Sequence, residues 1–228
     1  MAEYVVEFGK VGKPPEPDGR LDAPAFHRNH TAIWAVLCPY LEAASGNVLE
    51  IGSGTGQHVV AFAEKTPKLT WWPSDPNDKH LASIDAWRRH RGLANVRPPL
   101  RLDLSALDQA ASDWRRDQPD GLPHSFRAIV CINVLHIAPW SVTEGLLRCA
   151  SSSLEEDGQL FVYGPFMRDG RHTAPSNAAF DASLRRENTA WGVRDTAAID
   201  AQAQHLGLRL AEVVEMPANN FVLIVKRR

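Results

Sequence analysis

Asn47-Val-Leu-Glu-Ile-Gly-Ser-Gly-Thr-Gly-Gln-His58 is a short apolar run that stops at Glu50 and breaks into three alternating glycines before a helical pattern begins. A buried strand from Val48 to Ile51 would bring its carboxyl end to the edge of a sheet. There Gly52, Gly54 and Gly56 permit backbone angles and close approaches that a Cβ forbids. A nucleotide-type cofactor held at such a bend rests on backbone rather than on side chains.

The spacing bears on which cofactor. A dinucleotide fingerprint is G-x-G-x-x-G, whose third glycine lets the helix pack closely while the pyrophosphate rests on the helix N-terminus. Here the pattern is Gly52-x-Gly54-x-Gly56, and Gln57 stands where the third glycine belongs. Glu50 places a carboxylate near the bend, which suits the α-amino group of a methionine tail and repels a pyrophosphate. E-x-G-x-G-x-G resembles the loop of class I S-adenosylmethionine-dependent methyltransferases. The resemblance implies that Glu50, Gly52, Ser53, Gly54, Thr55, Gly56, Gln57 and His58 surround S-adenosylmethionine or its product S-adenosylhomocysteine.

Downstream residues follow the order of a Rossmann-like wind. After a helix from about Gly56 to Lys65, Leu69-Thr-Trp-Trp-Pro-Ser-Asp75 reads as a second strand ending in an acid. Its distance from Gly56 matches the interval of about 20 residues to a ribose-binding carboxylate. Pro73 cannot donate a ladder hydrogen bond, so it is expected at a strand end or a bulge. A helix follows from roughly Asp78 to Arg91. Val96 to Asp103 leads to a third strand, whose Asp103, with Leu104 beside it, suits the adenine amino group. Phe126 to Asn133 is an apolar fourth strand ending in a polar side chain. Ligands in open α/β sheets bind outside the carboxyl ends of strands, so Glu50, Asp75, Asp103 and Asn133 should converge. Asp75, Asp103 and Asn133 each also suit a helix cap.

Composition sets the outer bounds. The chain has 228 residues with 44% hydrophobic content, enough for one sizeable core, and a single domain over residues 1–228 is expected. With 25 basic and 27 acidic residues the net charge is −2, and no dense basic stripe offers a nucleic-acid footprint. Cys38, Cys131 and Cys149 are unpatterned, as in reduced proteins. No apolar run reaches membrane-spanning length and no leader pattern opens the chain. The expectation is a soluble, cytoplasmic protein, a monomer or homodimer, with no membrane or nucleic-acid partner. A hydrolase elbow and a P-loop both fail, because Ser53 follows Gly52 directly and Gln57-His58 replaces the Lys-Ser/Thr pair.

Residues 1–20, with Pro14, Pro15 and Pro17, form a polar lead expected to be loosely ordered. From Pro24 to about Ala44 a helix is expected, with Ile33, Trp34, Leu37 and Leu41 at helical spacing and Arg28 and Asn29 on its earlier turns. After a fifth strand, Gln159 to Gly164, residues 165–195 are too polar for core and too aromatic for a linker, which suggests an active-site lid. Two final strands, Leu208 to Val214 and Phe221 to Lys226, flank Met216-Pro-Ala-Asn-Asn220. Asn tolerates left-handed angles, so this joint reads as a hairpin closing a mostly parallel sheet with an antiparallel pair.

Several strings now combine: Arg28-Asn29, Leu49 to His58, Trp72-Pro-Ser-Asp75, Asn133-Val-Leu-His-Ile-Ala-Pro-Trp140, Tyr163-Gly-Pro-Phe166, Ser176-Asn177, Phe180-Asp181, Trp191-Gly-Val-Arg-Asp195 and Met216 to Asn220. Together they resemble the methyltransferase-like protein 26 family over nearly the whole chain from about residue 20. The resemblance implies a seven-stranded class I methyltransferase sandwich and S-adenosylmethionine binding, in which Arg28 and Asn29 join the cofactor set. It supplies no acceptor.

Methyl transfer from a sulfonium mainly needs a nucleophile aligned within roughly 3 to 3.5 Å and water excluded. A small-molecule acceptor, through O, N or S, would lie over strands four and five, bounded by Asn133, His136, Trp140, Tyr163 and Phe166. Asn177, Trp191 and Arg194 from the lid would complete the pocket. His136 is the candidate general base, its unperturbed pKa being near 6.5, with Asn133 and Tyr163 as the other catalytic candidates. The competing role for His136 is structural, bridging the loop before Pro139. Arg194 and Arg28 could each hold a carboxylate or form surface ion pairs. His27 and His30 stand three apart without a supporting Cys, Asp or Glu cluster, so no metal is expected. The alternatives are a non-catalytic cofactor-binding protein that works through a partner and a nicotinamide oxidoreductase.

Overall fold

The computed structural model describes residues 15–106 and 121–228. Residues 1–14 of the lead lie outside the described residues. In chain order the elements begin with α1 (Pro24–Leu41), β1 (Gly46–Ile51), α2 (Gln57–Ala63), β2 (Leu69–Asp75), α3 (Asp78–Arg91) and β3 (Leu100–Arg101). They continue through β4 (Phe126–Ile132), α4 (Trp140–Ser153), β5 (Leu154–Gly164), β6 (Phe166–Arg168), β7 (Arg171–His172) and α5 (Pro175–Glu187). The chain ends with β8 (Arg194–Asp195), α6 (Thr196–His205), β9 (Leu208–Met216) and β10 (Asn220–Arg227).

Seven strands form one sheet in the order β3-β2-β1-β4-β5-β10-β9, with β10 antiparallel to both neighbours. The fold is therefore the expected α/β class with a closing antiparallel hairpin. A strand covered on both faces must be apolar on both, and the alternation within β1, β4, β5 and β10 separates two cores. Leu49, Ile129, Cys131, Leu160 and Leu223 pack with α4 and α6 through Leu146, Leu147 and Ile199. Val48, Val130, Phe161, Val222 and Ile224 pack with α1, α2 and α3 through Ile33, Leu37, Val60 and Ile84. Burying each such side chain stabilises by about 1.5–3 kcal/mol.

Local signals explain the helix ends. Pro24 opens α1, where its missing N–H would have no intrahelical partner anyway. The Asn77 side chain caps α3 by accepting from the Lys79 amide, and Gly92 ends it at a left-handed φ of 63°. At the hairpin between β9 and β10, both Ala218 (φ 59°) and Asn219 (φ 57°) are left-handed.

Pro73 departs from expectation. It lies inside β2, opposite Glu50 of β1. Trp71 directs its N–H to the Asn95 carbonyl on the outer side of β2, and Pro73, two residues on, faces the same way. The outer chain pairs with β2 only at Val96 and again at Leu100–Arg101, so no ladder donor is needed between them. The third strand is likewise shorter than expected, and Asp103 lies just beyond it.

The segment 165–195 carries a fold of its own: a small sheet ordered β7-β6-β8 and the helix α5. It contributes core residues despite its polar composition, since Phe166, Leu184, Trp191 and Val193 are buried.

Candidate functional site

At the end of β1 all three glycines adopt left-handed angles, with φ of 67° at Gly52, 56° at Gly54 and 88° at Gly56. A Cβ on Gly52 would stand 2.5 Å from a Val134 methyl, and one on Gly56 would stand 2.7 Å from the Ile84 backbone. The bend is thus fixed by conformation and by lack of space. Ser74 binds it to β2, donating from Oγ to the Glu50 carbonyl at 2.7 Å and accepting from the Ser53 amide through its carbonyl at 2.8 Å.

Asp75 ends β2 beside this bend and is 4% exposed. Its Oδ2 accepts from the Gly54 amide at 2.9 Å, while Oδ1 accepts from the Asn77 amide and meets His80 Nδ1, both at 2.9 Å. One carboxylate therefore ties the glycine bend to the turn that leads into α3, whose cap is Asn77. Asp103 is half-buried, and its Oδ1 accepts from the Ser105 amide and hydroxyl. Leu104 beside it is buried against Gly145 of α4.

Glu50 is 1% exposed, and its Oε2 has no hydrogen-bond partner among the described residues. Burial pushes its pKa up to about 8; a hydrogen bond from Ser53 opposes the rise and the Asp75 charge adds to it. A carboxyl in this position is short of a donor.

Gln57 takes a task the sequence reading did not assign. Its Oε1 accepts from the Ala23 amide at 2.7 Å and the Thr55 hydroxyl at 2.9 Å, and its Nε2 donates to Asp22 at 2.8 Å. Gln57 thereby holds Asp22 and Ala23, just before α1, against the glycine bend. His58 Nε2 lies 2.9 Å from Asn29 Oδ1, and burial holds its pKa down to about 3, so the ring is neutral. Asn29, although it belongs to α1, thereby reaches the first turn of α2 just after the bend. His27 pairs with Asp22 at 2.6 Å and His30 Nδ1 lies 2.9 Å from the Phe26 carbonyl, so neither ring faces the other as a ligand pair.

Beyond the ends of β4 and β5 lies a cavity of about 710 Å³. Its sheet side is made by Asn133, His136 and Tyr163; α1 contributes Arg28 and Asn29. Across from these, α5 and its flank supply Asn177, Phe180, Leu184, Glu187 and Trp191, and the β9–β10 joint supplies Pro217 to Asn220. Asn133 is left-handed at φ 58°, which turns the chain sharply out of β4, and its amide donates to the Tyr163 carbonyl at 2.9 Å. His136 is buried in a single 3-10 turn, Leu135–Ile137, with the Phe180 ring 5.6 Å from its own. Burial and the nearby Arg194 charge lower its pKa to about 4. Burial pushes the Tyr163 phenol upward, with Asn29 and Arg28 partly opposing.

Three residues expected in the pocket are not in its lining. Arg194 donates through Nε to the Leu135 carbonyl at 3.0 Å, and through Nη2 to the carbonyls of Ala190, at 2.8 Å, and Ala138. It thus ties the His136 turn to the segment 165–195 and is committed to backbone instead of a ligand carboxylate. Phe166 is buried in the core and Trp140 packs against the same core from the start of α4.

Other residues of this region had no assigned role. Phe180 is 40% exposed on the cavity wall. Asp181 accepts from the Val193 amide at 2.7 Å and from Arg185 Nε at 3.0 Å, closing α5 onto the following turn. A Phe-Asp pair followed by Trp-Gly-Val-Arg-Asp is the only signal for this latch, and its pairing depends on a fold that spans 12 residues.

Among the described residues, no group of three or more His, Cys, Asp or Glu is placed to hold a metal ion, and no helix is long and apolar enough to cross a membrane. The architecture is shared with solved methyltransferases. The mitomycin 7-O-methyltransferase MmcR superposes with TM-score 0.68 at 18% identity, over 88% of this chain and 54% of that one. NcsB1, an O-methyltransferase from neocarzinostatin biosynthesis solved with S-adenosylmethionine and 2-hydroxy-5-methyl naphthoic acid, gives 0.66 at 18% identity, over 90% and 55%. CalO1, a methyltransferase in calicheamicin biosynthesis solved with S-adenosylhomocysteine bound, gives 0.60 at 16% identity, over 89% and 56%. The chain spans a little over half the length of these structures, and at such identities the likeness is one of fold. The family described as "Protein of unknown function (DUF938)" matches residues 20–227, and the chain belongs to that family, whose members are of the methyltransferase-like protein 26 type.

Proposed function

We propose that this chain is an S-adenosylmethionine-dependent methyltransferase acting on a small-molecule acceptor, folded as one domain with residues 165–195 as the cover of its site. The observation that carries the reading is the buried, donor-short carboxyl of Glu50 directly before a glycine bend that has no room for a Cβ. An ammonium group on a methionine tail supplies the missing donor, and close backbone approach is what an adenosyl amino acid needs at a strand end. The residues present therefore fit the cofactor.

Glu50 would hold the amino end and Arg28, exposed on the cavity wall, the carboxylate end. Asp75 would grip the ribose hydroxyls with the acceptor capacity left on Oδ2, and Asp103 with Leu104 would border the adenine. When bound, the cofactor supplies a methyl group already activated by a sulfonium. The chain's own work is then positioning and exclusion of water.

Asn133, His136 and Tyr163 face the cavity from the ends of β4 and β5. His136 is neutral across the neutral range, so its free ring nitrogen accepts a hydrogen bond and orients the acceptor. Its pKa lies too far below neutrality for an efficient general base, which favours acceptors that need little help in losing a proton. Tyr163 stays protonated and donates.

Calorimetry with S-adenosylmethionine, S-adenosylhomocysteine and NAD tests the reading. Either adenosyl ligand at 100 times its dissociation constant should stabilise the fold by about 2.7 kcal/mol, and NAD should not. Stabilisation by NAD alone would overturn the assignment. Tight S-adenosylhomocysteine binding without turnover across thiols, phenols, amines and carboxylates would leave a cofactor-binding protein that acts through a partner.

A further inference from the structure

The cavity wall beyond Arg28 has its own chemistry. Ile137, Pro165, Leu184 and Pro217 make much of it apolar, and Phe180 is the one large apolar side chain left exposed among the described residues. Its ring sits edge-on to His136, at 62°, so the exposed phenyl surface adjoins the groups expected to meet the nucleophile. Such a face favours a second aromatic ring in offset or edge contact.

A second observation is independent of the first. Trp191, also in the wall and 95% buried, has an indole Nε1 with no hydrogen-bond partner among the described residues. A buried N–H without an acceptor is costly, and an oxygen on a bound molecule relieves it. Charge gives the third constraint. The formal charges in the wall are Arg28, which the cofactor reading assigns to the donor's carboxylate, and Glu187, which opposes an anion. An anionic acceptor would lose its hydration without gaining a counter-charge.

We propose that the acceptor is an uncharged molecule built on a flat aromatic ring and bearing a hydrogen-bond-accepting oxygen, with the ring on Phe180 and the oxygen on the Trp191 N–H. Phe180 and Trp191 are then the specificity-determining residues of the cavity. The proposal rests on the methyltransferase reading through the assignment of Arg28.

Four probes separate the terms: 1-indanone, indane, indane-1-carboxylate and, without the aromatic ring, cyclopentanone, titrated by calorimetry into the protein alone and into protein saturated with S-adenosylhomocysteine. In the S-adenosylhomocysteine-saturated protein indanone should bind at least tenfold more tightly than the carboxylate, and in both states at least tenfold more tightly than cyclopentanone and about fivefold more tightly than indane. Trp191→Phe keeps the ring and removes the N–H, so it should erase the preference for indanone over indane. Phe180→Ala, at an exposed position that the fold tolerates, should weaken both ring compounds at least fivefold while leaving S-adenosylhomocysteine affinity unchanged. Equal or tighter binding of the carboxylate, or indifference to Phe180→Ala, would overturn the proposal. If the ring compounds respond to Phe180→Ala and Trp191→Phe as expected but S-adenosylhomocysteine does not bind, the cofactor reading fails, and with it the exclusion of anions, while the ring and N–H contacts stand. If S-adenosylhomocysteine binds and the order of probes reverses, the acceptor chemistry fails alone.

Discussion

Around the glycine bend, buried polar groups hold one another: Asp75 takes three donors, Ser74 links two strands, and Gln57 joins the bend to the segment before α1. Around the cavity the polar groups hold the wall from behind, as Arg194 and Asp181 do, while the surface they support is apolar and open. The first region is built to keep one shape and the second to accept a shape from outside. A ligand shared by many proteins suits the former, and one particular to this chain suits the latter.

The largest test of that contrast is Gly56→Ala. A methyl at a positive φ and 2.7 Å from the Ile84 backbone adds conformational strain to overpacking, for a loss of about 3–4 kcal/mol in chemical denaturation. A neutral result would mean that the bend is not a rigid cradle.

Glu50→Gln should act in the opposite direction. Because the folded carboxyl has a pKa of about 8, above its ordinary value, the unfolded chain releases the proton first as pH rises. The wild type therefore loses stability from about pH 4.5 up to pH 8, and the variant does not. The ligand-free variant should be more stable by about 3 kcal/mol at pH 7 and nearly equal at pH 4, yet should bind S-adenosylhomocysteine at least tenfold more weakly. Denaturation curves at the two pH values, with calorimetry on the same samples, decide it.

Asp75→Ala should cost about 2 kcal/mol of stability and weaken cofactor binding, since its carboxylate serves both bend and helix. Asp75→Asn, which keeps one acceptor oxygen, should recover part of the stability and less of the affinity. Recovery of both in full would reduce Asp75 to a structural tie between the bend and the start of α3.

On the acid side, His136 and His58 stay neutral in the fold at pKa values of about 4 and 3. The unfolded chain protonates them first, so stability should fall as pH drops from about 6.5 towards 4. His58→Gln should reduce that loss by up to about 2 kcal/mol at pH 5. An unchanged slope would show that these rings already titrate normally. Substitution at exposed Phe180 should leave stability within about 0.5 kcal/mol, the smallest effect of the set.

The bend and strand ends were legible because their signals are local. Glycine spacing, the acid closing β2 and the Asn closing β4 each lie within a few residues of the geometry they impose. α5 was not, since its buried positions are Asn177, Asp181 and Leu184, and only one of these enters a hydrophobic period. α4 does carry that period in Val142, Leu146, Leu147 and Ala150, which a search for helices would find. Arg194 illustrates the deeper limit: a guanidinium suits a carboxylate or three carbonyls equally well, and only the path of the chain over 59 residues selects the carbonyls. Pro73 is similar, its fitness for the middle of β2 depending on which neighbour falls silent opposite it.

Gln57 has one more implication. At the position where dinucleotide-binding chains keep a third glycine, this chain carries an amide that fastens Asp22 and Ala23. Engineering a glycine there to recruit a nicotinamide would cut the mooring of the leading segment before it opened any room for a pyrophosphate. Anchorage of the first helix thus occupies the position that a dinucleotide loop gives to its third glycine.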